Sequence, residues 1–319
     1  TVDVLRDANP LRRSYGAQLV DTAAGRISLR ASEGILPYGE LTGRGAGAAA
    51  GGDLRVTLDL TARAGNGNFV GVASDQFPET ARVLNLGTRR AWDATWLDFG
   101  DAGFVNALRS SAFLGDGSIR STGGVNGVSL VDHAGIARGG FSSASFGARQ
   151  NATEFRADGV SRYLRLPAEV RLSGDFTLAL DRALTIDAPI LGSNGGAAAL
   201  SAAHVTLGSS NEEFRVGTTE SLNRFSATAG AGRLSVNADL IDLVGFSSLQ
   251  GFGGAPVSFH SSGDLRLRGV ALPPLSTNPE NEFPEIAGAL VAASDLTLTA
   301  AQVYPTTLTR FDLELAGAG

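Results

Sequence analysis

Ser129, Asp132 and His133 are the residue types of a nucleophile, an orienting acid and a general base. Packed within five positions, they do not converge readily on one reacting atom, because the members of hydrolytic triads are well separated in sequence. No catalytic role is read from them. The remaining histidines, His204 and His260, stand in unrelated contexts, and His204, beside an expected strand, reads as a partly buried, hydrogen-bonded residue. With no cysteine, no HExxH pair, no EF-hand loop and no P-loop, the chain offers no recognisable metal or phosphate site. Gly43-Arg44-Gly45-Ala46-Gly47 has the glycine content of a dinucleotide fingerprint but neither its spacing nor a following helix. Carboxylates recur at Asp53, Asp175, Asp264 and Asp295, each just before an expected strand, where Arg26 and Arg233 take the same position. That alternation reads as turn chemistry, Asp bonding local backbone, rather than as a row of acids. Glu212-Glu213 and the set Glu280, Glu282 and Glu285 read as solvated loop clusters, and Asn151-Ala152-Thr153 as a chance glycosylation triplet. The expectation is therefore a chain that is not an enzyme and has no catalytic, cofactor-binding or metal residues.

The elements that would position these residues come from an eight-residue cassette written six times. It begins at Ala24, Gly51, Ser173, Ala231, Ser262 and Ala293, as in Gly51-Gly52-Asp53-Leu54-Arg55-Val56-Thr57-Leu58. A small residue, Asp or Arg, then apolar–polar–apolar is a turn feeding a short strand with one buried face. Such a strand cannot bury its apolar face alone, so the copies are expected to stack. Partial echoes follow at Leu184–Asp187, Val205–Gly208 and Leu240–Leu243. Counted at the second letter, the spacings are 27, 122, 58, 31 and 31 residues. Local repetition of this kind argues for an all-β, parallel β-solenoid with insertions rather than a sandwich, with residues 1–68 and 166–319 as solenoid coils.

Residues 69–165 read differently, as an irregular, aromatic-rich insertion or capping region. Both tryptophans fall there, and Trp92, Trp96 and Phe99 have the spacing of a helical face, with Asp101 placed to cap a second short helix and Phe104 following. Trp92, Trp96, Phe99 and Phe104 are the candidate interaction surface, although core or capping roles for these aromatics are the commoner outcome. Gly43 to Gly52 reads as a tight, sterically small corner, and Pro273 to Pro284 as a surface loop.

Composition excludes several classes. The net charge is −6, all 26 basic residues are arginine, and no basic run exceeds two residues, so no nucleic-acid partner is expected. No signal peptide and no apolar stretch of membrane-spanning length is visible. The absence of cysteine suits passage through a periplasm, and the absence of methionine marks a processed product or a piece of something longer.

The cassette with its second strand, as in Gly232–Val244 and Ser173–Pro189, resembles the repeat units of filamentous-haemagglutinin-type exoproteins exported by two-partner secretion. The resemblance covers chiefly 20–60 and 160–319. It implies a right-handed parallel β-helix, an outer-membrane transporter as export partner, extracellular or cell-surface localisation, and an adhesive or fibrous role. Self-association into a filament and contact with a host or bacterial surface receptor or glycan follow from it, and no catalytic residues carry over. The family's secretion domain carries Asn-Pro-Asn motifs. This chain has only Asn9-Pro10-Leu11 and Asn278-Pro279-Glu280, so the resemblance is to a shaft region. The alternative function is a carbohydrate-active β-helix enzyme acting on an acidic polysaccharide. An outer-membrane β-barrel ranks last, because these strands are about half the length such barrels need.

Overall fold

The structure is a computed structural model. It describes residues 21–31, 34–35, 37, 40–62, 64–65, 68–69, 82–87, 128–155, 161–165, 168–210, 226–271 and 285–316. Nineteen of its described strands form one curled sheet, overwhelmingly parallel, and Ala64–Gly65 pairs with Asn68–Phe69 apart from it. Antiparallel pairing is confined to hairpins such as 151–155 with Ser161–Arg165.

The register resolves the sheet into three ladders. The first runs Arg26–Ala31, Asp53–Ala62, Ser143–Phe155, Ala183–Asp187, 204–209, 240–245, Asp264–Arg268 and Gln302–Pro305. The second runs Phe176–Ala179, 197–202, 233–238, Val257–Ser261 and Leu296–Thr299. The third runs Val128–Asp132, Arg82–Gly87, Ala168–Ser173, Ile190–Ser193, 246–250, Ile286–Ala292 and Thr309–Leu315. From residue 168 to 209 the chain visits the third, second and first ladders in turn, then repeats the circuit. All six cassettes are strands of the first or second ladder, and Arg26 pairs directly with Asp53, one cassette stacked on the next.

Alternation decides which side chains face inward. In the first ladder one column holds Leu54, Ala144, Leu184, Val205, Ile241 and Leu265, each at most 2% exposed. A second column holds Val56, Phe146, Ile186, Leu207, Leu243 and Leu267. Each buried Leu, Ile, Val or Phe contributes roughly 1.5–3 kcal/mol, so each added strand is stabilised chiefly by covering the one before it. Two long strands bend between ladders, Ala197–Ser209 and Thr228–Phe252. Gly245 (φ 61°) turns the second from the first ladder into the third, where a Cβ would collide with the Ser209 carbonyl oxygen.

Within 69–165, the region expected to be irregular, the described residues are regular. Arg82–Gly87 and Val128–Asp132 belong to the third ladder and Ser143–Phe155 to the first. A seven-residue helix, α1 (His133–Gly139), joins the last two, capped by the Asp132 carboxylate at its start and by left-handed Gly140 (φ 71°) at its end. It covers the end of the second ladder, with the His133 ring 4.9 Å from that of Phe176. The glycine-rich segment is the expected tight corner: Gly43 donates to the Gly139 carbonyl at 2.8 Å and Gly52 to that of Gly43 at 2.6 Å.

Candidate functional site

The early strands of the third ladder are buried on both faces, although no residue of its last strand, Thr309–Leu315, is buried. Arg82–Gly87 is buried throughout, and Glu169 is buried, bound by Nε and Nη2 of Arg171 at 2.7 and 2.6 Å. The first and second ladders keep one face toward solvent, so chemistry offered to the outside is offered there.

On the first ladder's outer face the register brings together charges from neighbouring strands. Asp242 is the centre of the densest group. It stands beside Thr206 on one side and Arg266 on the other. Its Oδ1 accepts from Arg266 Nε at 2.6 Å, and its Oδ2 accepts from Arg266 Nη2 at 2.8 Å, Arg268 Nη1 at 2.9 Å and His204 Nε2 at 3.1 Å. The carboxylate has no exposed surface, while the side chains of Arg266, Arg268 and His204 above it are 32%, 46% and 39% exposed. Burial alone would raise the carboxyl pKa. The hydrogen bonds from Arg266, Arg268 and His204 outweigh it and hold the group below the ordinary carboxylate range. Asp242 also raises the Arg266 pKa, chiefly through their shared hydrogen bonds.

A carboxylate already held by two guanidinium groups and an imidazole, its pKa lowered, is a poor general base. Its physical effect is to tie three successive strands across the sheet, at 204–209, 240–245 and Asp264–Arg268. The same pattern recurs along the ladder. Arg26 and Arg55 both donate to Asp53, at 2.7 and 3.0 Å, and Arg30 donates to Asp59 at 2.7 Å. Arg149 pairs with Asp187, which also accepts from Ser210, and Tyr304 donates to Asp264 at 3.1 Å.

The strand-entry carboxylates are therefore not confined to turn chemistry, as the sequence suggested. Asp175 accepts from the backbone of Ala197, Asp53 from Arg26 and Asp264 from Tyr304, each on the neighbouring strand of its ladder. In a register-matched ladder the nearest donor to such a residue is on the next strand, about 4.8 Å away.

Ser129, Asp132 and His133 serve three separate ends. Ser129 is buried and its Oγ accepts from the Ile35 backbone at 2.6 Å, Asp132 caps α1, and His133 Nδ1 donates to the Gly87 carbonyl at 3.2 Å. His204 is part-buried and hydrogen-bonded, and His260 lies exposed on the second ladder. Glu285 pairs with Arg310 at 2.9 Å. Trp92, Trp96, Phe99, Phe104, the helix start at Asp101, Glu212-Glu213 and the 273–284 loop lie outside the described residues. Among the described residues no group of three or more His, Asp or Glu is placed to hold a metal ion.

The chain matches no protein-family model, no curated protein and no solved structure.

The sequence reading passed over Asp242, Arg266 and Arg268. One signal pointed to them: aligning the echo at Leu240 with the cassette at Ser262 by their apolar residues puts Asp242 beside Arg266.

Proposed function

We propose that the chain is a structural segment of a secreted bacterial surface protein of the filamentous-haemagglutinin type: a right-handed parallel β-helix that builds a shaft or filament and mediates cell-surface or cell–cell contact. The observation that carries this reading is the repeated circuit through three ladders, with cassettes stacked in register. A chain wound in this way is stiff along the ladder axis and gains stability by adding strands rather than by enclosing a pocket. The cross-strand ion pairs on the outer face suit the same purpose, since they lock neighbouring strands and present no free acid or base.

Self-association is supported by the last strands. Gln302–Pro305 and Thr309–Leu315 with their connecting turn expose Val303, Leu308, Leu313 and Leu315 at 45%, 86%, 39% and 58%. Val303 ends the same inward column that Ile27 begins, so a second copy stacked end to end would continue it. Export through an outer-membrane transporter and an extracellular location belong to the same proposal.

Electron microscopy of the purified chain tests it. The first ladder is about 34 Å long at 4.8 Å per strand. Particles many times that length, with the strand spacing repeating along their axis, are expected. Compact monomers at every concentration count against the filament.

A further inference from the structure

The outer faces of the first and second ladders differ in chemistry. The first is crossed by ion pairs. The second has an uncharged floor: its central outward row runs Thr177, Ala199, Ser235, Ser258 and Thr297, one residue per strand. The row beside it, Ala179, Ser201, Asn237, His260 and Thr299, has one ionisable side chain, the exposed His260. Charge returns at the strand entrances, with Asp175 and Arg233 on the rim and Asp295 further along, and beyond the strand exits at Asp181, Arg182 and Asp239. Here the surface sinks into an open depression of about 610 Å³, floored by Ala199, Ser235 and Ser258.

We propose that this depression binds a neutral polysaccharide laid across the strands. The floor is flat because its side chains stop at Cβ or one hydroxyl beyond it. Ser235, Ser258 and Thr297 stand on three consecutive strands, so their hydroxyls recur at the strand spacing of about 4.8 Å, a repeat comparable to the length of one sugar in an extended glycan. Successive sugars therefore meet these three hydroxyls, while Ala199 beside them carries none. At the rim Asp175 spends one oxygen on the Ala197 N–H at 2.6 Å and turns an exposed carboxylate edge to solvent, while exposed Arg233 supplies donors. A carboxylate and a guanidinium together match the acceptor and donor sides of vicinal hydroxyls. An uncharged floor with the Asp175 carboxylate on its rim disfavours a polyanion, and the apolar atoms of Ala199 and Pro256 give the carbon face of a sugar something to rest on. This deepens the adhesive part of the reading above and rests on it.

Affinity electrophoresis of the full chain through gels containing dextran, mannan or amylose, with heparin as the anionic comparison, tests the proposal. At least one neutral polymer should retard the wild type. Ala199→Arg, which fills the floor from an outward position, should weaken that retardation roughly tenfold. Arg55→Ala, on the other outer face, should leave it unchanged. Circular dichroism reports the fold of each variant, and Asp175→Asn with Arg233→Gln gives the same test should Ala199→Arg fail to fold. No retardation by any neutral polymer, retardation by heparin alone, or retardation that survives both sets of variants overturns the proposal. Particle length in the same sample is read separately by microscopy, so loss of the glycan site and loss of the shaft are distinguishable.

Discussion

Replacing Asp242 by alanine removes the one acceptor shared by Arg266, Arg268 and His204. Breaking a buried ion pair from one side typically costs 3–5 kcal/mol. Here the partners left behind are about a third to a half exposed and regain water, so the expected loss is nearer the bottom of that range, about 3 kcal/mol. The comparison is Asp53→Ala, which deletes the same charge on the same face. Its main partner Arg26 is 56% exposed, and the cost should stay below about 1 kcal/mol. Urea denaturation followed by circular dichroism separates them: at a slope of about 3 kcal/mol per M, Asp242→Ala moves the midpoint by roughly 1 M and Asp53→Ala by a third of that or less. The pH dependence carries a sign as well. Asp242 binds its proton more weakly folded than unfolded, so its contribution is complete above the unfolded value of about 4 and disappears as pH falls through the lower folded value. The gap between wild type and Asp242→Asn should therefore be constant from neutral pH down to about 4 and close below it. Equal costs for Asp242→Ala and Asp53→Ala, or a gap that widens in acid, would refute the reasoning.

Other expectations follow from burial and backbone geometry. Phe259→Ala, at a site 1% exposed between Val236 and Leu298, should cost about 3–5 kcal/mol by thermal or urea unfolding. Gly208→Ala should cost at least about 1–3 kcal/mol, since φ is 132° and a Cβ would strike the Val244 carbonyl. The Tyr304 phenol should ionise above its ordinary pH, first from burial and then from its bond to Asp264; a near-ultraviolet titration of wild type minus Tyr304→Phe checks this. Val303→Glu with Leu313→Glu should abolish end-to-end particles in electron micrographs while leaving the circular dichroism unchanged.

The first two ladders were legible because the cassette encodes a strand, its facing and its entry turn within eight residues, and stacked copies share that phase. Arg26 over Asp53 follows directly from aligning two cassettes. The third ladder was not legible. Arg82–Gly87 and Ala168–Ser173 are buried on both faces, so Val83, Asn85, Glu169 and Arg171 blur the alternation that marks a half-exposed strand. Helix α1 was missed at seven residues, too short for a periodic stripe, although Asp132 before it is a start signal and Gly140 after it a stop signal. The Asp242 group escaped because its other members lie 24 to 38 residues from Asp242, and no local motif links them to it. Only the register places them side by side.

The central claim is that the chain winds through its ladders in register, and paired cysteines test it most directly, since the native chain has none. Ser201 and Asn237 are register neighbours on the second ladder's outer face, as are Asn237 and His260. Neighbouring strands lie within disulfide reach. Cysteines at 201 and 237, or at 237 and 260, should cross-link on mild oxidation of the folded protein, while cysteines at 201 and 260, two strands apart, should not. Cross-linking at 201 and 260 without the neighbouring pairs would contradict the winding.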